Sequence, residues 1–182
     1  MKKVLAAILL VPFAIFSQVS DETMEKLRTK WQNEITNQLT SSDFKYPSES
    51  GITAFGDSIL KVACADTTTI EYVFSKHCEK DPTTLGMNKA ILLSCGEYEK
   101  LIQIYSDILI LKLAKNDQEL FQQANDMWMK WRNKEAEFCG RLMQETYSGG
   151  GGTIHSLVYT MRLKKMYKER VVVLIDYLKH IL

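Results

Sequence analysis

The sequence predicts an all-α protein: an up-down-up bundle of three long antiparallel helices over residues 81–182, preceded by a smaller helical N-terminal extension over residues 18–80. Three observations carry this reading. Apolar residues recur at spacings of three and four along extended stretches, the signature of one buried helical face. Residues that cap or stop helices stand at the ends of those stretches. The three C-terminal stretches are also nearly matched in length, about 40 to 50 Å each at the standard helical rise, as an antiparallel bundle requires.

The first residues bear on compartment rather than fold. Lys2 and Lys3 precede an apolar run from Val4 to Phe16 that is too short to span a bilayer. This is the pattern of a signal peptide over residues 1–17, with cleavage after Ser17 or Ser20. No cysteine follows the run closely, so a lipid anchor is not expected, and after removal of the signal no transmembrane span is expected either. The mature protein is then periplasmic or secreted. Its remaining length, about 165 residues, suits one domain with an extension better than two domains. The full chain carries 23 Lys+Arg and 22 Asp+Glu; loss of Lys2 and Lys3 leaves 21 against 22, a net charge of −1. Such a balance implies neither a nucleic-acid partner nor an acidic substrate.

Along the mature chain, Met24, Leu27, Trp31, Ile35 and Leu39 mark an amphipathic helix over 21–39. Residues 40–56, with Pro47 and several Ser and Gly, read as a linker or irregular wrap. A shorter helix is expected over about 66–76, with Thr67 to Thr69 supplying capping oxygens. Asp81 as cap and Pro82 at the first helical position then open a long helix, in which Met87, Ile91, Ser94, Tyr98, Leu101, Tyr105 and Ile108 form a seam. Asn116 followed by Glu119 resembles a capping box and sets a tight turn. The next helix presents Phe121, Ala124, Trp128, Trp131, Glu135, Phe138 and Leu142, and four glycines, Gly149 to Gly152, stop it. A last helix from Thr153 to about Lys179 turns Ile154, Leu157, Val158, Met161, Met166, Val171, Leu174, Ile175 and Leu178 inward.

Cys64, Cys78, Cys95 and Cys139 are an even set in an exported chain, which reads as two disulfides. Their spacing matches no zinc pattern, so no metal site is expected. Positions equidistant from the turn at Asn116–Asp117 lie level on antiparallel helices, which pairs Cys95 with Cys139 and leaves Cys64 for Cys78. The same register gathers Tyr105, Trp128 and Arg132 into one tier, with Arg170 added from the last helix.

These residues carry a family resemblance. Leu101 and Tyr105, then Trp128, Trp131 and Arg132, then Gly151, Gly152 and Thr153, then Tyr159, Leu163 and Arg170 follow in an order and at distances that resemble the lysozyme-inhibitor LprI-like N-terminal domain family over about 81–182. The resemblance implies a helical domain that inhibits a muramidase by protein contact; the alternative is a non-inhibitory structural or interaction module of the envelope, holding another protein or an anionic surface. The tier itself reads as packing, with Arg132 and Arg170 stacked on Trp128 or Tyr105 and bridged to acids such as Glu135 or Asp107, and with Trp128 and Trp131 in the core. The basic run Arg162, Lys164, Lys165, Lys168 and Arg170 reads as a solvated face. The candidate partner contact is the loop end Gly149, Gly150, Gly151, Gly152 and Thr153 with His155, where consecutive glycines let backbone N–H groups approach a carboxylate. No catalytic residue, no cofactor and no enzyme activity is expected. Only His77, His155 and His180 are available, and no metalloprotease, nucleophile-elbow, phosphate-loop or C-x-x-C motif occurs.

Overall fold

The computed structural model describes residues 21–41, 54–142 and 153–181. Within them the helices are α1 (Asp21–Leu39), α2 (Ala54–Lys80), α3 (Thr84–Lys112), α4 (Lys115–Leu142) and α5 (Thr153–Lys179). The all-α class is as expected. The expected signal peptide lies outside the described residues.

The spacing of apolar residues explains α1, which buries Met24, Trp31, Ile35 and Leu39 along one stripe. Met24 and Trp31 close over Val73 of α2, with Leu27 and Tyr72 packed at the edge. Helix α2 is far longer than the expected 66–76. The threonines read as caps sit inside it: Thr67 and Thr69 donate their hydroxyls back to the carbonyls of Ala63 and Ala65, at 2.7 and 2.9 Å. That back-bonding satisfies the hydroxyl within a continuing helix, so it gives no start signal.

Between α2 and α3 the expected cap moves by two residues. Thr83 is the N-cap of α3, in extended conformation, and its hydroxyl oxygen accepts from the Gly86 N–H at 3.0 Å. Asp81 supports it, accepting from the Thr83 hydroxyl at 2.6 Å and the Thr83 N–H at 3.2 Å. The Asp81 carboxylate lies so close over the first turn of α3 that a Cβ at position 86 would collide with it, which is why glycine is tolerated there despite its helix cost. Only Leu113 and Ala114 separate α3 from α4. The Ala114 carbonyl accepts from the N–H groups of Asp117 and Gln118, and the Gln118 side chain donates to the Leu113 carbonyl at 2.9 Å. The helix therefore restarts slightly before the capping-box position read from Asn116.

Side-chain pairs give the directions. Tyr98 and Tyr105 of α3 donate to Glu71 and Asp66 of α2, at 2.6 and 2.8 Å, so these helices run antiparallel. Lys164 of α5 donates to Glu71 at 2.7 Å, while Gly56 of α2 abuts the Lys179 backbone, so α2 and α5 are antiparallel too. Asn88 of α3 donates to Ser156 and accepts from Thr160 of α5, both at 2.7 Å, near the start of each helix; α3 and α5 run parallel.

The main core is α2, α3 and α5. Ile59, Ala63 and Ile70 of α2 meet Tyr98, Leu101, Ile102, Tyr105 and Leu109 of α3 and Val171, Leu174 and Leu178 of α5. The expectation that α3, α4 and α5 form the three-helix core is thus corrected: α2 occupies the place assigned to α4. Helix α4 lies outside, with Cys139 its only buried residue and Phe121 and Trp128 packed against the core at its edge. At about 1.5–3 kcal/mol per large apolar side chain buried, the two α2 isoleucines, Ile59 and Ile70, are integral to the fold rather than an accessory to it.

Glu71 ties the three core helices together. Its carboxylate accepts from Tyr98, Lys164 and Lys168, the last at 3.0 Å. Burial pushes this carboxyl up, but the hydrogen bonds from Lys164, Tyr98 and Lys168 overcome that and hold it at about 2. Lys164, expected on a solvated face, is buried with its ammonium over the Phe74 ring.

Candidate functional site

Helix α4 has two apolar stripes, and the structure assigns them opposite roles. The inner one carries Phe121 and Trp128. Trp128 meets Tyr167 edge to face, with centroids 6.3 Å apart at 81°. The Arg132 and Arg170 guanidinium carbons lie 5.5 and 5.3 Å from the Trp128 ring centroid, and Arg132 is also 5.0 Å from Tyr167. Arg132 bridges to Glu99 of α3 at 2.9 Å and Arg170 donates to Asn125 at 2.9 Å. Both cations are therefore used to fasten α4 to α3 and α5. Burial lowers the Arg170 pKa, and its Nε is buried without an acceptor among the described residues. Of the two rings the sequence offered, Trp128 or Tyr105, both cations lie over Trp128, and Glu99 takes the place of Glu135 and Asp107 as the acid.

Tyr105 does not join this tier. It is fully buried on the other side of α3, bonded to Asp66, and Leu101 is buried in the same core. Trp131, expected in the core, is 53% exposed.

Trp131 belongs to the outer stripe, Leu120, Met127, Trp131 and Phe138, whose spacing of seven, four and seven keeps them within a narrow sector of the helix. All four are exposed, Phe138 to 57%. Antiparallel α5 lies alongside: Arg170 meets Asn125 near one end, and Tyr159 donates to the Ala136 carbonyl at 2.9 Å near the other. Trp131 and Glu135 of α4 line a cleft of about 360 Å³ with Arg162, Lys165, Met166 and Glu169 of α5. One and two turns before Arg162, on the same side of α5, stand exposed Val158 and exposed His155. Arg162 is ion-paired with Glu135 and Lys165 with Glu169, so the basic run is not a free cationic face.

Of the predicted contact residues, His155 lies on this face. Gly149, Gly150, Gly151 and Gly152 lie outside the described residues; Thr153 begins α5, and its side chain is not described. Trp131, Phe138 and Met127 were missed as surface residues. Their spacing of four and seven was legible, but a helical stripe looks the same whether a neighbour covers it or water does.

The expected disulfides are corrected in part. Cys64 and Cys78 lie on one continuous helix, 14 positions apart, or about 21 Å at the helical rise, whereas a bridge needs Cα atoms within about 7 Å. All four cysteines are free in the structure. Cys95 and Cys139 are both buried, and the Tyr159 phenol pKa is raised by burial first and then by Cys139 and Cys95. Burial pushes the Cys95 thiol up to about 11.

Residues 75–174 match the family described as Lysozyme inhibitor LprI, more than half of the 182-residue chain. The chain belongs to the LprI lysozyme-inhibitor family. No curated relative and no solved structure matches it. The LprI segment takes in the end of α2, all of α3 and α4, and α5 as far as Leu174, so it contains the arginine clamp on Trp128 and the whole outer α4–α5 face. It excludes Ile59, Ala63 and Ile70, the α2 residues on which the LprI segment of this chain packs. Among the described residues no helix is long and apolar enough to cross a membrane.

Proposed function

We propose that this LprI-family protein is exported through the signal peptide at residues 1–17 and inhibits a lysozyme in the periplasm or outside the cell, without catalysis of its own, by docking the outer face of α4 and α5 onto it. One observation carries the choice of surface: Met127, Trp131 and Phe138 are large apolar side chains left exposed in a row on a helix that is otherwise fastened to the core. Exposed aromatic side chains in a contiguous patch are the residues from which binding hot spots are made. Beside them, exposed His155 supplies a donor suited to a muramidase cleft, which holds a pair of carboxylates, while Arg162 and Lys165 stay paired with Glu135 and Glu169. The near-neutral net charge fits a contact of this kind, whose affinity comes from desolvated aromatic anchors rather than from long-range attraction. Gly149 to Gly152, which precede α5 in the sequence, belong to the proposed contact.

In the oxidising compartment this proposal requires, Cys95 and Cys139 join and hold α4 against the core. The test is inhibition of cell-wall lysis, followed as turbidity, with purified protein titrated into lysozymes of several classes. Trp131→Ala with Phe138→Ala is expected to weaken inhibition about a hundredfold, or about 2.7 kcal/mol of binding, with an unchanged melting temperature. Inhibition that survives both substitutions moves the contact off this face. Absence of inhibition by the unsubstituted protein removes the inhibitor reading.

A further inference from the structure

The outer stripe of α4 extends beyond its four apolar members. Steps of three and four in alternation, from Asp117 to Arg141, pass through Leu120, Met127, Trp131 and Phe138 with Ala124 and Lys134 between them, and every position so reached is exposed. That alternation is the seam of a coiled coil, along which two helices lie at a shallow angle. It plays no part in the core, because α4 is fastened to α3 and α5 by its other side, through Trp128, Arg132 and Asn125.

The seam is also a palindrome about the level of residue 129. Met127 and Trp131 stand two positions from it, Ala124 and Lys134 five, Leu120 and Phe138 nine, and Asp117 and Arg141 twelve. A two-fold axis at that level sets a second, antiparallel α4 in register with the first over about 36 Å of helix. Leu120 then meets Phe138 and Met127 meets Trp131, each pair twice, so all four large apolar residues of both copies leave water together. The cleft beside Trp131 leaves room for the unbranched Met127 side chain of the second copy. Ala124 is small enough for the Lys134 stem to pass over it toward solvent.

Charge favours the same arrangement. Asp117 makes no ion pair among the described residues. Arg141 and Lys134 share one carboxylate, Glu137, at 2.9 and 2.8 Å, so that end of the helix keeps one positive charge in excess. The antiparallel register sets Asp117 against Arg141 at both ends, whereas a parallel pair sets each against its own kind. On the α5 side of the seam Arg162 is paired with Glu135 and Lys165 with Glu169, so these charges do not set one copy against the other.

We propose that a second copy of this chain covers the α4 seam in the free protein, the two α4 helices lying antiparallel about a two-fold axis at the level of residue 129. The contact does not rest on lysozyme inhibition. It uses the same stripe, however, so a paired copy is not free to dock on a lysozyme, and inhibition draws on the monomer.

Sedimentation equilibrium of the full exported protein over a wide concentration range, with no lysozyme present, reads the association directly. A monomer–dimer equilibrium with no higher species is expected, because a two-fold contact closes on itself. Trp131→Ala is expected to weaken dimerisation about tenfold or more. Asp117→Arg, which sets like charges at both ends, is expected to weaken it as well, and Asp117→Arg combined with Arg141→Asp to restore it. All three residues are exposed, and thermal melts at a dilution where the parent is monomeric check that each variant folds as the parent does. Should Asp117→Arg disturb the fold, Trp131→Ala still decides the surface. A protein that stays monomeric to near-millimolar concentration overturns the proposal. So does a dimer indifferent to Trp131→Ala, as one joined through Cys64 or Cys78 is. A dimer that folded Asp117→Arg leaves intact, or that the charge exchange does not restore, overturns the antiparallel register.

Discussion

Replacing Glu71 by Gln tests the central polar contact of the fold, because this carboxylate receives hydrogen bonds from α3 and α5 at once. Its pKa is held near 2 against an ordinary 4.5. At about 1.4 kcal/mol per unit of pKa, that difference corresponds to roughly 3 kcal/mol of folding stability linked to its ionisation. The Glu71 side chain is 33% exposed, so solvent screening reduces the expected contribution to about 2 kcal/mol. The sign follows from a folded pKa that lies below the unfolded one. The contribution is complete above pH about 4.5 and is lost as the pH falls toward 2, where the native carboxylate takes up its proton. Glu71→Gln is therefore expected to destabilise at pH 7 by at least about 2 kcal/mol, since it also leaves the buried Lys164 ammonium without its counter-charge. Urea unfolding of both proteins at pH 7, 4.5, 3 and 2 measures this. The gap between them should narrow steadily below pH 4.5. A gap that stays constant down to pH 2 refutes the reasoning, because the Glu71 charge would then not be what the three helices hold.

Trp128→Ala should cost about 3 kcal/mol, since it removes the ring clamped by Arg132 and Arg170, whereas Trp131→Ala should lie within about 0.5 kcal/mol of the parent protein; thermal melts of the pair separate the inner stripe of α4 from the outer one. Non-reducing peptide mapping of exported protein should show Cys95 joined to Cys139, contributing about 3–4 kcal/mol, and no intrachain Cys64–Cys78 link. A Cys64–Cys78 peptide would mean that α2 is broken between them.

The sequence was most legible where one local rule governs one element. The seam from Met87 to Ile108 is a single long helix, the boundary near residue 114 needs only a turn, and α1 buries four of the five residues read from its spacing. Helix α2 was read as a short segment because its threonine run resembles a start signal, although Ile59, Ala63, Ile70, Val73 and His77 keep helical spacing across it. A hydroxyl has two local partners available, an N–H of a helix about to begin or a carbonyl one turn back in a helix already running, and sequence does not distinguish them. The arginines on Trp128 were legible as a stack because Arg132 lies one turn from that ring; their acceptors on α3 and α4, Glu99 and Asn125, were not.

By itself the sequence determined the helical class, the seam of the long helix and the family, because each depends on residues close in the chain or on a motif in fixed order. The tertiary structure alone decided that α2 rather than α4 completes the core, that Trp131 and Phe138 face solvent while Trp128 does not, and that Lys164 is buried on Glu71. The physical reason is the same in each case. Helical periodicity orders side chains around one axis, but which sector is buried depends on which neighbour removes more apolar surface from water, and that is a comparison between distant segments.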